Sequence, residues 1–294
     1  MSKQRLTIIL LFNLSLWLGA GWWSASQPAA PIITKATSTL TWPNFQVWPA
    51  SSTIVWSPDK GVLVSQDSRR LRPIASLSKM VTALVVLAEK PDWQKKYKLK
   101  NEDERYGNVA YIYPGEEISI NDLWHLSLMA SDNTATQALV RAVGLDDEAY
   151  RQKVLTLAER LKIKDLSLDE PTGLSTKNQA SAEAIAMIAR EALSQEKVRE
   201  VALLARYEIK TAQGRSQQVT NTDAFVRGAA TLPDGWEIVG GKTGYIDEAG
   251  YCFAALWQDK QGQTVVSVIL GAQAKETRFS LTKDLINYAT KKYY

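Results

Sequence analysis

The chain is 294 residues long, with one cysteine, one histidine and a formal charge of +4 from 35 Lys and Arg against 31 Asp and Glu. So even a balance offers no basic surface for nucleic acid. The lone Cys252 excludes an internal disulfide, and the lone His125 excludes multi-histidine metal centres.

The N-terminus carries Lys3 and Arg5, then an apolar run from Leu6 to Ala20, then small residues at Ser24 and Ser26. This is the layout of a secretory signal peptide over residues 1–26, cleaved before Gln27, with a periplasmic or other extracytoplasmic destination. An uncleaved membrane anchor is the alternative: counted to Trp23 the segment has 18 residues, at the lower limit for spanning. Residues 27–50, rich in Pro, Ala and Thr, read as a linker or extended arm. The runs Ser52–Trp56 and Val62–Val64 flank the turn residues Ser57-Pro58-Asp59-Lys60-Gly61 and predict a hairpin.

A helix is predicted next, over residues 76–90, and it ends before Pro91. Being apolar on every side after its first turn, it must be buried. Ser76 and Lys79, three apart, share one face of that turn. Burial and the positive end of the helix dipole both disfavour an ammonium there, so Lys79 is a candidate neutral base for a Ser76 nucleophile. The chain holds four Ser-x-x-Lys pairs, and the other three are Ser57/Lys60, Ser194/Lys197 and Ser280/Lys283. The first is a turn and the others lie in polar helical stretches, so only Ser76/Lys79 opens a segment that must be buried.

From residue 92 to 205 the pattern is mostly helical. One predicted helix runs to Leu128 and contains His125, which reads as structural because no partner pattern surrounds it. Others run from Asp146 to Leu161 and from Ala180 to Leu193, with a Pro/Gly turn at Glu170–Ser175 between them. Strands return at Trp236–Val239, Tyr251–Trp257 and Thr264–Leu270, and a helix over Thr277–Thr290 closes the chain. Cys252 falls in one of these apolar strands as a small core residue. Strands at both ends with helices between them predict an α+β fold, in which one antiparallel sheet is built from both termini around a helical insert.

Two more motifs complete a constellation. Ser131-Asp132-Asn133 follows an apolar helix end, and Lys242-Thr243-Gly244 lies on a predicted edge strand where glycine permits close backbone approach. Ser-x-x-Lys, Ser-x-Asn and Lys-Thr-Gly in this order are the signature set of penicillin-binding proteins and class A β-lactamases. Arg72-Pro73-Ile74-Ala75-Ser76, Glu170-Pro171-Thr172-Gly173-Leu174 and Lys242-Thr243-Gly244-Tyr245-Ile246-Asp247-Glu248-Ala249-Gly250-Tyr251 add to the match. With these residues, from roughly Ser52 to Ala289, the chain resembles the low-molecular-mass penicillin-binding proteins of the serine D-Ala-D-Ala peptidase family.

The resemblance implies a catalytic domain over 51–290, with an α/β lobe from 51–75 and 206–290 and a helical lobe from 76–205. It implies that Ser76 attacks the carbonyl between two D-alanine-type residues while Lys79 accepts its proton. Backbone N–H groups of Ser76 and Tyr245 would form the oxyanion hole, and Ser131 would pass a proton to the leaving amine. Asn133 would orient Lys79 and a substrate amide, while Lys242, Thr243 and Gly244 would bind substrate; Arg278 resembles a second carboxylate contact and reads equally as a surface arginine. No metal or cofactor is implied. The partners implied are peptidoglycan stem peptides and, as covalent inhibitors, β-lactams; a membrane partner enters only with an uncleaved N-terminal segment. A class A β-lactamase is one rival, but the Glu-x-x-Leu-Asn loop is absent. A non-catalytic penicillin-sensing or wall-binding protein is the other, although no catalytic side chain is missing. Within the family the chain looks more like the short endopeptidase branch, which cuts D-Ala–diaminopimelate cross-links, than like the longer carboxypeptidases.

Overall fold

The computed structural model describes residues 48–107 and 109–294, so the expected signal segment and the arm as far as residue 47 lie outside the described residues. Where that arm ends, Trp48 is buried, and its backbone N–H donates to Gln66 Oε1 at 2.7 Å. The expected hairpin follows as β1 (Ser52–Ser57) and β2 (Gly61–Gln66). Ser57 Oγ accepts the N–H groups of Asp59 and Lys60, and Gly61 closes the turn at φ +75°. The Ser57/Lys60 pair is therefore turn chemistry.

A short strand, β3 (Arg72–Pro73), leads into a 3-10 turn, Ala75–Leu77, and then α1 (Ser78–Ala88). The helix was expected from residue 76; it starts two residues later because Ala75 is left-handed, at φ +47°, and Ser76 sits in the tighter turn. Every residue from Ser78 to Val86 is buried. Each aliphatic side chain in that run contributes about 1.5–3 kcal/mol of burial, enough together to hold a lysine in a dry core.

The helical insert contains β4 (Lys96–Lys98) and β5 (Glu117–Ser119), paired with each other, then α2 (Ile120–His125), α3 (Asn133–Ala142) and α4 (Asp147–Arg160). The minor strands β6 (Leu166–Ser167) and β7 (Gln179–Ala180) join β3, and α5 (Ala182–Ser194) and α6 (Glu196–Ala202) follow. Side chains of Ser119, Asp132, Asp146 and Ser181 cap four of these helices, each accepting the N–H three residues on. The hairpin of β8 (Arg206–Lys210) and β9 (Ser216–Thr220) was not expected. It is anchored to the helical insert: Tyr207 donates to Asp122 at 2.7 Å, and Arg215 pairs with Glu116 at 2.6 Å.

The last strands are β10 (Trp236–Ile246), β11 (Gly250–Asp259) and β12 (Thr264–Ala272), followed by α7 (Thr277–Tyr293). Ser52 pairs with Leu270, so the five-stranded antiparallel sheet runs β10-β11-β12-β1-β2 and is built from both ends of the fold, as expected. Period-2 alternation then splits the core. Ile54, Ala254 and Val268 face a cluster shared with α1 and α5, while Val55, Ala255 and Ile269 face one shared with α7. The sheet is thus sandwiched, and β10 is left as an edge facing the helical insert.

Candidate active site

The first wall of the cleft is the turn from Ala75 into α1. Lys79 is wholly buried, and its Nζ lies 3.0 Å from Ser76 Oγ, 2.7 Å from Asn133 Oδ1 and 2.6 Å from the Thr172 carbonyl oxygen. Desolvation lowers its pKa to about 7, against the opposing pull of the Glu170 and Asp132 carboxylates. A neutral amine has two N–H donors and one lone pair. With the Asn133 and Thr172 oxygens accepting both N–H groups of the neutral amine, its lone pair is left for the Ser76 hydroxyl; in the protonated form Nζ donates to Ser76 Oγ as well.

The second wall comes from the break between α2 and α3. The helix widens into a π-turn at Leu126–Ala130, and Ser131 then takes a left-handed conformation at φ 60°. Asp132 fixes this corner, accepting the N–H of Ala135 at 2.8 Å and that of Tyr111 at 2.9 Å. Burial still raises the Asp132 pKa, with those N–H bonds acting in the opposite sense. The corner turns Ser131 into the cleft, where Lys242 Nζ donates to its Oγ at 2.8 Å. Asn133 stands one step into α3, facing Lys79.

Edge strand β10 is the third wall. Lys242 is buried, and its pKa falls well below the usual lysine value, first from desolvation and then from the neighbouring Lys79 and Arg278 charges. Thr243 Oγ1 lies 2.7 Å from Thr222 Oγ1. A Cβ at Gly244 would come within 3.0 Å of the Ser76 backbone nitrogen, so glycine lets this strand close on the Ser76 turn. Tyr245 follows, its ring stacked on Tyr251 with centroids 4.3 Å apart. Arg278, which the sequence left between a surface and a site position, is only 4% exposed. Its Nη1 donates to the Gly244 carbonyl at 3.2 Å, beneath β10.

Three supporting groups carried no assigned role in the sequence. Glu170 holds the turn behind Lys79: its carboxylate accepts N–H groups of Thr172, Gly173 and Ser175 and the Asn178 amide, at 2.7 to 3.2 Å. Thr82 Oγ1 lies 2.8 Å from Tyr150 OH and donates to the Pro171 carbonyl, tying α1 to the same turn. Asp223 is buried against β10, and its Oδ2, where a Cβ on Gly241 would intrude at 2.6 Å, has no hydrogen-bond partner among the described residues. Burial raises the Asp223 carboxyl to about 6 despite two backbone N–H bonds and the Arg278 and Lys242 charges. The Glu170-Pro171-Thr172-Gly173 turn is the one sequence signal for the first group.

Ser76, Ser131, Asn133, Thr243, Tyr245 and Arg278 line one cleft of about 410 Å³. A hollow of about 280 Å³ between β1 and α5 carries none of them. His125 lies outside the cleft, stacked on Tyr207 at 3.9 Å with Nδ1 against the Asn121 carbonyl, and Cys252 is a buried free thiol. Among the described residues, no group of three or more His, Cys, Asp or Glu is placed to hold a metal ion, and no helix is long and apolar enough to cross a membrane.

An antiparallel sheet with flanking helices and a Ser-Lys pair facing a Lys-Thr-Gly edge strand defines a serine-hydrolase class. The chain belongs to the D-alanyl-D-alanine carboxypeptidase family, peptidase S11, which it matches over residues 43–274. It is 24% identical over 251 residues to D-alanyl-D-alanine carboxypeptidase DacF of Bacillus subtilis, a match covering 83% of this chain and only 63% of that protein. It is 27% identical over 284 residues to the D-alanyl-D-alanine endopeptidase of Escherichia coli, covering 92% of this chain and 85% of the relative. The fold is similar to the Streptomyces K15 DD-transpeptidase, with a TM-score of 0.75 and 22% identity over 86% of this chain and all of that one.

Proposed function

We propose that this protein hydrolyses D-alanyl bonds in the stem peptides of peptidoglycan through an acyl-enzyme on Ser76. The observation that carries this reading is the position of Lys79 Nζ, 3.0 Å from Ser76 Oγ and also within hydrogen-bond reach of the Asn133 and Thr172 oxygens. In this mechanism Ser76 Oγ attacks the carbonyl as Lys79 takes its proton. The backbone N–H groups of Ser76 and Tyr245 receive the oxyanion, each such donor stabilising the transition state by about 3 kcal/mol. Ser131, polarised by Lys242 at 2.8 Å, delivers a proton to the leaving amine. Thr243 and Arg278 receive the carboxylate of the leaving residue, and water releases the acyl group.

Endopeptidase action on cross-links is favoured over carboxypeptidase action. The Escherichia coli relative carries the former name and is matched over 85% of its length, against 63% for the carboxypeptidase from Bacillus subtilis. A β-lactam would be attacked in the same way and remain on Ser76. The class A β-lactamase alternative lacks support: the Glu170 carboxylate, the one acid in that loop position, is bound to N–H groups of its own turn. An extracytoplasmic location accords with the N-terminal apolar run and with a wall substrate.

The test is mass spectrometry of muropeptides after incubation with the purified protein, with Ser76→Ala as control. Conversion of a D-Ala-linked dimer to monomers supports the endopeptidase reading. Loss of one alanine from a pentapeptide monomer, with the dimer untouched, makes it a carboxypeptidase. No change in either, with penicillin still captured, would sink the hydrolase reading in favour of a penicillin sensor.

A further inference from the structure

We propose that the groove between residues 224–231 and the start of α7 seats a second, acidic peptide on the leaving-group side of the scissile bond. This inference rests on the endopeptidase reading and names the part of the substrate that reading leaves unplaced. The groove has about 380 Å³ and continues the catalytic cleft, because Arg227 and Lys275 line both. A leaving D-alanine ends at its carboxylate, at Thr243 and Arg278, and needs nothing beyond. In a cross-linked substrate the residue bearing that carboxylate carries a further chain on its α-carbon, and among the described residues the groove past Arg227 and Lys275 continues the cleft.

The lining states the chemistry of that chain. Arg227, Lys275 and Lys283 face the groove against a single carboxylate, Glu276. None of the three cations is in an ion pair among the described residues. Arg227 is steadied without losing its charge, since its Nε donates to the Asp223 carbonyl at 3.3 Å. Phe279 gives the floor an apolar surface for aliphatic stems. Unpaired cations over an apolar floor match a peptide carrying carboxylates on short aliphatic side chains.

The test uses the double variant Arg227→Ala/Lys275→Ala and two substrates, a cross-linked muropeptide dimer and a short acylated peptide ending in D-Ala-D-Ala. The expected result is a rise in KM for the dimer of roughly tenfold, one exposed ion pair lost for each cation. kcat for the dimer, turnover of the short peptide and the rate of penicillin capture should stay within about twofold, which also shows that the variant folds. Raising salt should weaken dimer binding more steeply in the wild type than in the variant, which keeps Lys283 and Arg278. A single Lys283→Glu change on α7 gives a second readout, again in dimer KM alone. Equal effects on both substrates, or no effect on the dimer, would overturn this assignment while leaving the endopeptidase reading intact. A wild-type protein that turns over the short peptide but not the dimer would overturn both.

Discussion

Lys79 Nζ donates to the backbone carbonyl of Thr172 at 2.6 Å, across 93 residues of sequence. The Lys79 amine is thus aimed by a main-chain atom of a turn that a glutamate holds in shape. A carbonyl cannot be removed by a side-chain substitution, but the turn that presents it can be forced to move. Gly173 has φ +90°, and a Cβ there would lie 2.1 Å from the Ala75 oxygen. Gly173→Ala should therefore displace both Thr172 and the Ser76 turn, lowering the rate of penicillin acylation on the order of 100-fold. Stopped-flow acylation checks this; a rate within a factor of a few of wild type would remove the turn from the base's support.

Acylation should depend on pH through Lys79. The amine works as a base only when neutral, and its folded-state pKa is about 7. The second-order rate constant should then rise with pH, reach half its plateau near pH 7 and level off above it. Lys79→Arg, which stays charged, should acylate at no pH in the range. A flat profile for the wild type would rule out a titrating base in this step.

His125 should not matter to that profile. Its ring stacks on Tyr207 and its Nδ1 meets a main-chain oxygen one turn back. His125→Phe keeps the stack and loses one hydrogen bond, costing about 1 kcal/mol of stability. Chemical denaturation measures that loss, and the acylation midpoint should remain where it was. A shifted midpoint would make the histidine part of the proton relay.

Asp223 should make stability fall as pH rises. Its folded-state pKa is about 6, above the ordinary 3.8, so its proton is held more tightly in the folded chain. The stabilisation this gives is full below about pH 4 and is lost as pH rises through about 6, with a difference of about 3 kcal/mol. Asp223→Asn, neutral throughout, should lose that component. Urea midpoints of both proteins at pH 4 and pH 7 give the comparison, in which any pH-independent cost of the amide cancels. Parallel changes in the two proteins would show that Asp223 ionises as freely folded as unfolded.

The site was legible wherever a side chain belongs to a local pattern. Ser76 and Lys79 stand at the front of an apolar helix, Ser131 and Asn133 at a helix break, and Lys242 and Thr243 beside a glycine on a strand. Their convergence in one cleft follows from the sheet pairing, which alternation also made visible. Arg278 was ambiguous because its burial depends on β10 and β11 lying over the first turn of α7, a tertiary fact. Asp223 was silent for a similar reason, since its partners are main-chain N–H groups, which any sequence possesses; Glu170 showed only as part of its turn motif, because its role depends on main-chain N–H groups and on Asn178 eight residues on. The β8–β9 hairpin escaped because its alternation spans five residues a side and Tyr207 finds its partner Asp122 only across space.

The pairing of the first strand with the last has a consequence for the order in which the cleft is completed. Lys242 meets Ser131 across 111 residues, and the strand carrying it is aligned by β11 and β12, the final strands of the chain. A polypeptide still being made holds Ser76 and Lys79 without the edge strand that completes the cleft. Long-range closure of this kind is late and slow compared with helix formation. The cleft is therefore completed only when β10, β11 and β12 have joined the sheet, whereas the Ser76 turn and α1 form from neighbours in sequence.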